Sequence, residues 1–206
     1  MTNSPAGPAK GVKHFFDIGG NNGQTFDYLA TLDRSYKDHV FWIFEPSPRH
    51  FAQLLDKCRH FSGEYRIRVC PFGVGGTTGV RKFREKDDPK GDSFQAWLAS
   101  DHVVYDVDNG YEVFSAVVSL PEFILAHTAP DDTIVLDIDA EGSEYEILGA
   151  LMACEAAWRR VVEVMVEWHH VGEAEASVTP RQFKEHCAGG QVRLVNRGDG
   201  RLLQGL

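Results

Sequence analysis

Acids, glycines and histidines recur at the ends of apolar runs in this chain, and their spacing points to ligand chemistry. The first run, residues 14–18, ends in Asp17-Ile18-Gly19-Gly20-Asn21-Asn22-Gly23. Gly19 and Gly23 permit a tight turn and a close backbone approach to a ligand. The helix expected next would offer its unpaired N–H groups, and Asp17 is placed to accept a hydrogen bond from a ligand amine. A dinucleotide fingerprint, G-x-G-x-x-G, would require glycine where Asn21 and Gln24 stand. No G-x-x-x-x-G-K-[ST] string occurs, so a P-loop is excluded.

Glu45 closes the second apolar run, residues 40–44, roughly 20 residues after the glycine turn, where nucleotide-binding α/β folds place an acid on ribose hydroxyls. A carboxylate suits that role because it can accept from both vicinal hydroxyls at once. A third group of residues is Asp137-Ile138-Asp139-Ala140-Glu141-Gly142-Ser143-Glu144, in which a strongly apolar run delivers acids into the following loop. Strand alternation puts Asp137 and Asp139 on the same side while the strand lasts. Glu144 and Glu146 have an ordinary role available as first-turn acids of a helix, with Ser143 as its cap. The fourth group is Glu167-Trp168-His169-His170. Neighbouring strand ends lie about 5 Å apart, so one of the two histidines can face Asp139 and Glu141.

The elements that must hold these groups alternate between strand and helix, which is the pattern of a parallel sheet covered by helices. Strands are expected at 14–18, 40–44, 65–72, 111–118, 133–138, 161–166 and 191–196. Helices are expected at 24–32, from Ser47-Pro48 onward, at 120–127, from Ser143 through Met152, and after Thr179-Pro180. From 73 to 110 the periodicity breaks, and the stretch reads as an insertion or lid. Its aromatics Phe94, Trp97 and Tyr105, with Tyr111 beyond it, have the flat faces that stack on sugars, or else pack the lid.

Composition narrows the function. The 206 residues suit one domain, and 43% hydrophobic content allows a sizeable core. A formal charge of −9 argues against a nucleic acid backbone as partner. No apolar run approaches the roughly 20 residues that span a membrane. Cys58, Cys70, Cys154 and Cys187 have no C-x-x-C spacing and read as reduced core residues of a cytoplasmic protein. Residues 1–13 lack an apolar signal core and read as a disordered leader before a single domain over 14–206. No helix precedes the first strand, which suggests a chain cut from something larger.

Taken in order, DIGGNNGQT, FEPSP, VLDIDAEGSEYEIL and VEWHH resemble the FkbM family of S-adenosylmethionine-dependent methyltransferases, from about residue 14 to 170. The resemblance implies a Rossmann-like class I methyltransferase fold, with a mostly parallel seven-stranded sheet and helices on both faces. It implies O-methylation, often of sugars or natural-product hydroxyls. By the same resemblance Asp17, Gly19, Asn21 and Gly23 line the cofactor and Glu45 holds its ribose; Gly20 within the turn and Asp139 at its strand end are expected to contact the cofactor too. Gly20 replaces a more usual Ala, a change expected to be harmless. Leu136 replaces a frequent Lys, which should leave the site more acidic. Asp139, His169 and His170 are the candidates for the base that takes the acceptor's proton, Asp139 first. Alternatively, Asp139, Glu141 and a histidine hold a magnesium or manganese ion that acidifies the hydroxyl. The rival readings are a methyltransferase on another hydroxyl or an amine, an NAD-dependent oxidoreductase, and a non-catalytic binding module of the same fold.

Overall fold

The structure, a computed structural model, describes residues 11–86, 110–169, 177–190 and 192–196. The expected leader lies mostly outside them, but Val12 and Lys13 belong to the fold. Val12 donates its N–H to Asp132 Oδ1 at 2.6 Å, and Lys13 opens the first strand, β1 (Lys13–Ile18).

From β1 the chain passes through helix α1 (Gln24–Thr31), β2 (Val40–Phe44), α2 (Pro48–Phe61) and β3 (Arg66–Cys70). After an excursion described below it continues through α3 (Leu120–His127), β7 (Thr133–Ile138), α4 (Glu144–Met152), the short α5 (Glu155–Trp158), β8 (Val161–Val166), α6 (Pro180–Gly189) and β9 (Arg193–Asn196). The main sheet has the order β3-β2-β1-β7-β8-β9, and every pairing in it is parallel. β2 is buried throughout and β1 in all but its first residue, as parallel strands covered on both faces must be. On one face α1 and α2 bring Phe26, Leu29 and Leu54 against Phe15, Phe41 and Val135. On the other, α3, α4 and α6 bring Ile124, Leu148 and Phe183 against the layer of Phe16, Phe44 and Leu136.

The sheet has six strands among the described residues, not the seven expected. The segment expected at 111–118 is a strand, β6 (Gly110–Ser119), but it joins a separate sheet of order β4-β6-β5. Its partners are β4 (Gly73–Gly75), which runs parallel to it, and β5 (Gly79–Lys86), which runs antiparallel. Both lie in the stretch expected to be an irregular insertion. Val80 is exposed while Phe83 is buried, and the charged residues between them hide the two-residue period. Arg81 of β5 pairs with Glu146 of α4, and the Ser119 N–H donates to Thr78 Oγ1 at 3.0 Å, so the small sheet is tied to the main domain beside the end of β7.

The chain leaves β1 toward β2 on one side and returns to β7 on the other. Loops therefore diverge at the carboxyl ends of β1 and β7, which is where open α/β sheets form their ligand crevice.

Candidate functional site

A cleft opens at that point, lined by Gly19, Asn21, Glu45, His50, Phe83 and Asp139 among others. Three strand-end loops meet there through their backbones. The Gly19 and Gly20 N–H groups both donate to Phe44 O, at 3.1 and 3.0 Å, and Asp139 N–H donates to Ile18 O at 2.9 Å. Gly19 is left-handed (φ 86°), and a Cβ there would fall 1.8 Å from Asp139 O. Only glycine permits loops this close. Asn21 also has positive φ, 47°, which turns its N–H toward Glu45.

Glu45 is buried, with 5% of its surface exposed. Its Oε2 accepts from Asn21 N–H and its Oε1 from Ser47 N–H, both at 2.7 Å. Two backbone donors thus hold the carboxylate rigidly at the cleft wall, in charge-assisted bonds stronger than neutral ones. Ser47 caps α2 by accepting from His50 N–H at 3.2 Å, which brings His50 to the cleft in the first turn of that helix.

Asp139 and Glu141 also line the cleft, and His169 stands beside them, organised by Glu144. Glu144 is completely buried; its Oε1 accepts from Ala140 N–H (2.9 Å) and its Oε2 from Gly142 N–H (2.8 Å). Its Oε1 also lies 2.8 Å from His169 Nδ1. A carboxylate already accepting two backbone N–H groups is an acceptor only, so His169 carries its proton on Nδ1 toward Glu144. The other ring nitrogen, Nε2, faces Asp139 Oδ1 at 3.7 Å and Glu141 Oε2 at 3.5 Å. Left-handed Glu141 and Gly142, φ 47° and 100°, fold this loop back on itself. Burial works against a charged His169, but the hydrogen bond to Glu144 and the charges of Glu144, Glu141 and Asp139 outweigh it, pushing its pKa up to about 9. Burial pushes Glu141 up to about 7; His169 opposes that shift, while Asp139, Glu144 and Glu167 add to it.

Several expectations need correction. Glu144 is a buried anchor for the loop and for His169, not merely a first-turn acid. The Ser143 capping box is absent: Ser143 has helical backbone (φ −79°, ψ −5°) and makes no side-chain cap. Its Oγ is buried with no hydrogen-bond partner, although the residue lines the cleft. Asp17 is 2% exposed and is the register partner of fully buried Asp137. Gly23 has positive φ, 82°, and closes the turn by donating its N–H to Gly20 O at 2.7 Å. At position 20 a Cβ would meet Ile43 Cγ2 at 2.3 Å, so an alanine here would force Ile43 to shift rather than be a harmless change. Leu136 is fully buried in the core and does not set the charge of the cleft.

Of the two histidines, His169 joins Asp139 and Glu141, and His170 lies outside the described residues. Phe94, Trp97 and Tyr105 also lie outside them, and Tyr111 of β6 is the register partner of Glu85 of β5. His50, Phe83 and Ser143 are cleft residues that sequence reasoning did not single out. The Ser47-Pro48 cap was the available signal for His50, since it fixes which residues form the helix's first turn. Nothing local marked Phe83.

A family model described as the Methyltransferase FkbM domain matches residues 17–188. Among solved structures, the chain is similar to one titled methyltransferase FkbM from Methylobacillus flagellatus KT, at 17% identity and a TM-score of 0.44. That match covers 69% of this chain, which spans 30% of the length of the Methylobacillus chain. A search of curated proteins gives no significant match.

Proposed function

Because this chain belongs to the FkbM methyltransferase family, we propose that it transfers a methyl group from S-adenosyl-L-methionine to a hydroxyl of a sugar, a glycan or a glycosylated small molecule in the cytoplasm. The observation that carries this reading is the pairing of Glu45, fixed by two backbone N–H groups, with the acids of the β7 loop on the opposite wall of one cleft. Glu45 accepts the ribose hydroxyls, and the turn from Gly19 to Gly23 follows the amino-acid portion of the cofactor. Asp139 and Glu141 supply negative charge near the sulfonium.

In the reaction the acceptor oxygen attacks the methyl carbon in line. The carbon–sulfur bond breaks with its electron pair returning to sulfur, leaving a neutral thioether. The enzyme's main contribution is to hold donor and acceptor in that line. The hydroxyl proton passes to a carboxylate, for which Asp139 is the first candidate. His169, pushed up to about 9, is already protonated near neutral pH and is a poor base. It orients Asp139 and Glu141 instead. The charge of −9 favours a small-molecule or glycan acceptor over nucleic acid.

Incubating the protein with methyl-labelled cofactor and a panel of sugars, glycosides, phenols and amines tests the acceptor class. Label on sugar hydroxyls is expected. Label confined to amines would overturn the O-methyl reading.

A further inference from the structure

We propose that Asp139, Glu141 and His169 form a binding site for one divalent cation, magnesium or manganese, beside the methyl-transfer centre. The proposal deepens the methyltransferase reading by naming a second cofactor of the same cleft. The cation site itself rests on geometry that stands without that reading.

One ligand atom from each of the three residues lies within 4.8 Å of the others. Ligands about 2.1 Å from an octahedral ion are separated by roughly 3 Å when adjacent and roughly 4.2 Å when opposed. The Nε2 separations of 3.5 Å to Glu141 and 3.7 Å to Asp139 fall within that range, so side-chain shifts of a few tenths of an ångström close the site. All three residues are partly exposed, and Asp139 and Glu141 line the cleft, so an ion has a path in and positions left for water or acceptor oxygens.

The histidine is prepared for this role by its other nitrogen. Metal-binding imidazoles characteristically donate their second N–H to a carboxylate, which fixes tautomer and ring orientation. His169 does so to Glu144, a fully buried carboxylate that the Ala140 and Gly142 N–H groups immobilise. Nε2 is thereby left pointing at Asp139 and Glu141, and it releases its proton to solvent when the ion binds. Charge argues the same way, because Asp139, Glu141 and Glu144 surround a single imidazole, and even an imidazolium leaves the group net negative. A divalent ion restores the balance.

Ser143 is an independent sign of a polar ligand. It is 1% exposed and lines the same cleft, yet its Oγ has no hydrogen-bond partner among the described residues. A buried hydroxyl without a partner is costly, and rotation of the Ser143 side chain toward the cleft would let water carried by a bound ion satisfy it. Two carboxylates and one imidazole suit magnesium or manganese better than the sulfur-rich sets that select zinc. Such an ion would lower the pKa of an acceptor hydroxyl bound to it.

Manganese titration of the purified chain, followed by electron paramagnetic resonance, tests the site with the metal alone. One saturable manganese per chain is expected, displaced by excess magnesium. Asp139→Asn, Glu141→Gln and His169→Gln should each weaken binding more than tenfold. Glu144→Gln should weaken it about 10- to 100-fold through the orientation of His169. Glu155→Gln, an exposed acid on α5, should bind as wild type does. Circular dichroism on each variant separates loss of the site from loss of the fold; Asp139→Asn alters only a partly exposed side chain and is the decisive variant. No saturable manganese in folded wild type, or undiminished binding in folded Asp139→Asn and Glu141→Gln, would overturn the proposal. Calorimetry with S-adenosylhomocysteine on metal-free protein keeps the two readings apart. Cofactor binding without manganese binding sinks the cation alone, and manganese binding without cofactor binding sinks the methyltransferase assignment.

Discussion

At Glu45 the two backbone donors fix the carboxylate before any ligand arrives, so its contribution to binding carries little ordering cost. Glu45→Ala should weaken S-adenosylhomocysteine binding by about 10- to 100-fold, two charge-assisted bonds being lost and partly replaced by water. The fold should survive; an unchanged dissociation constant in a folded variant would show that Glu45 holds only the Asn21 and Ser47 backbone. Asp139 sits on the reaction side of the cleft. Asp139→Asn should lower turnover about 10²- to 10⁴-fold while changing cofactor affinity far less. If Asp139→Asn turned over normally while His169→Ala was dead, the base would be the histidine. Glu45 and Asp139 were legible from the sequence because each is an acid directly after an apolar run. Glu144 was not, because a glutamate in a helix's first turn has a sufficient solvent-facing explanation. Only the tight Glu141-Gly142 turn, with both residues left-handed, brings its carboxylate back under the loop.

Among the elements, the glycine turn couples three strands that are distant in sequence. Gly20→Ala places a methyl 2.3 Å from Ile43 Cγ2 on β2 and should cost about 1–3 kcal/mol as overpacking. Gly19→Ala should be worse, because its Cβ meets the immovable Asp139 carbonyl and the residue is left-handed. Urea unfolding of both variants checks this, and wild-type stability in either would mean that the loops can part freely. The four inner strands β2, β1, β7 and β8 were readable because strands buried on both faces are short apolar runs, while edge strand β3 was readable from its alternation of arginine with apolar residues. Strand β6 was readable as a strand but not as a member of a second sheet. Pairing partners are a long-range property, and its neighbours β4 and β5 carry glycines and charges that break the two-residue period.

At the scale of the whole molecule, the cleft occupies the carboxyl end of the sheet, and a separate polar network closes the opposite end. His14, at the start of β1, accepts from Trp42 Nε1 on Nδ1 at 3.1 Å, so its Nε2 carries the proton and donates to Asp132 at 3.1 Å. Burial lowers the His14 pKa below its usual value despite the opposing pull of Asp132, and Arg68 and Arg66 lower it further. A proton therefore binds the unfolded chain more tightly than the folded one. The corresponding stability is fully present above about pH 6.5 and is lost as pH falls below it, by at most about 1.4 kcal/mol per pH unit for one group. Urea midpoints at pH 7.5 and 5.5 should differ in wild type and differ less in His14→Gln; an equal acid loss in both would exclude His14 as a source. No helix among the described residues is long and apolar enough to cross a membrane. Cys58, Cys70 and Cys187 are free and buried, and burial pushes their thiols up to about 12, 11 and 11, so they remain protonated core residues.

The central claim is that one cleft, walled by Glu45 and Asp139, holds S-adenosylmethionine. Calorimetric titration of the wild-type chain with S-adenosylhomocysteine, and separately with NAD, tests it most directly. Micromolar-range binding of S-adenosylhomocysteine, weakened in Glu45→Ala, with no heat from NAD is the predicted result. Tight NAD binding with no response to S-adenosylhomocysteine would contradict it.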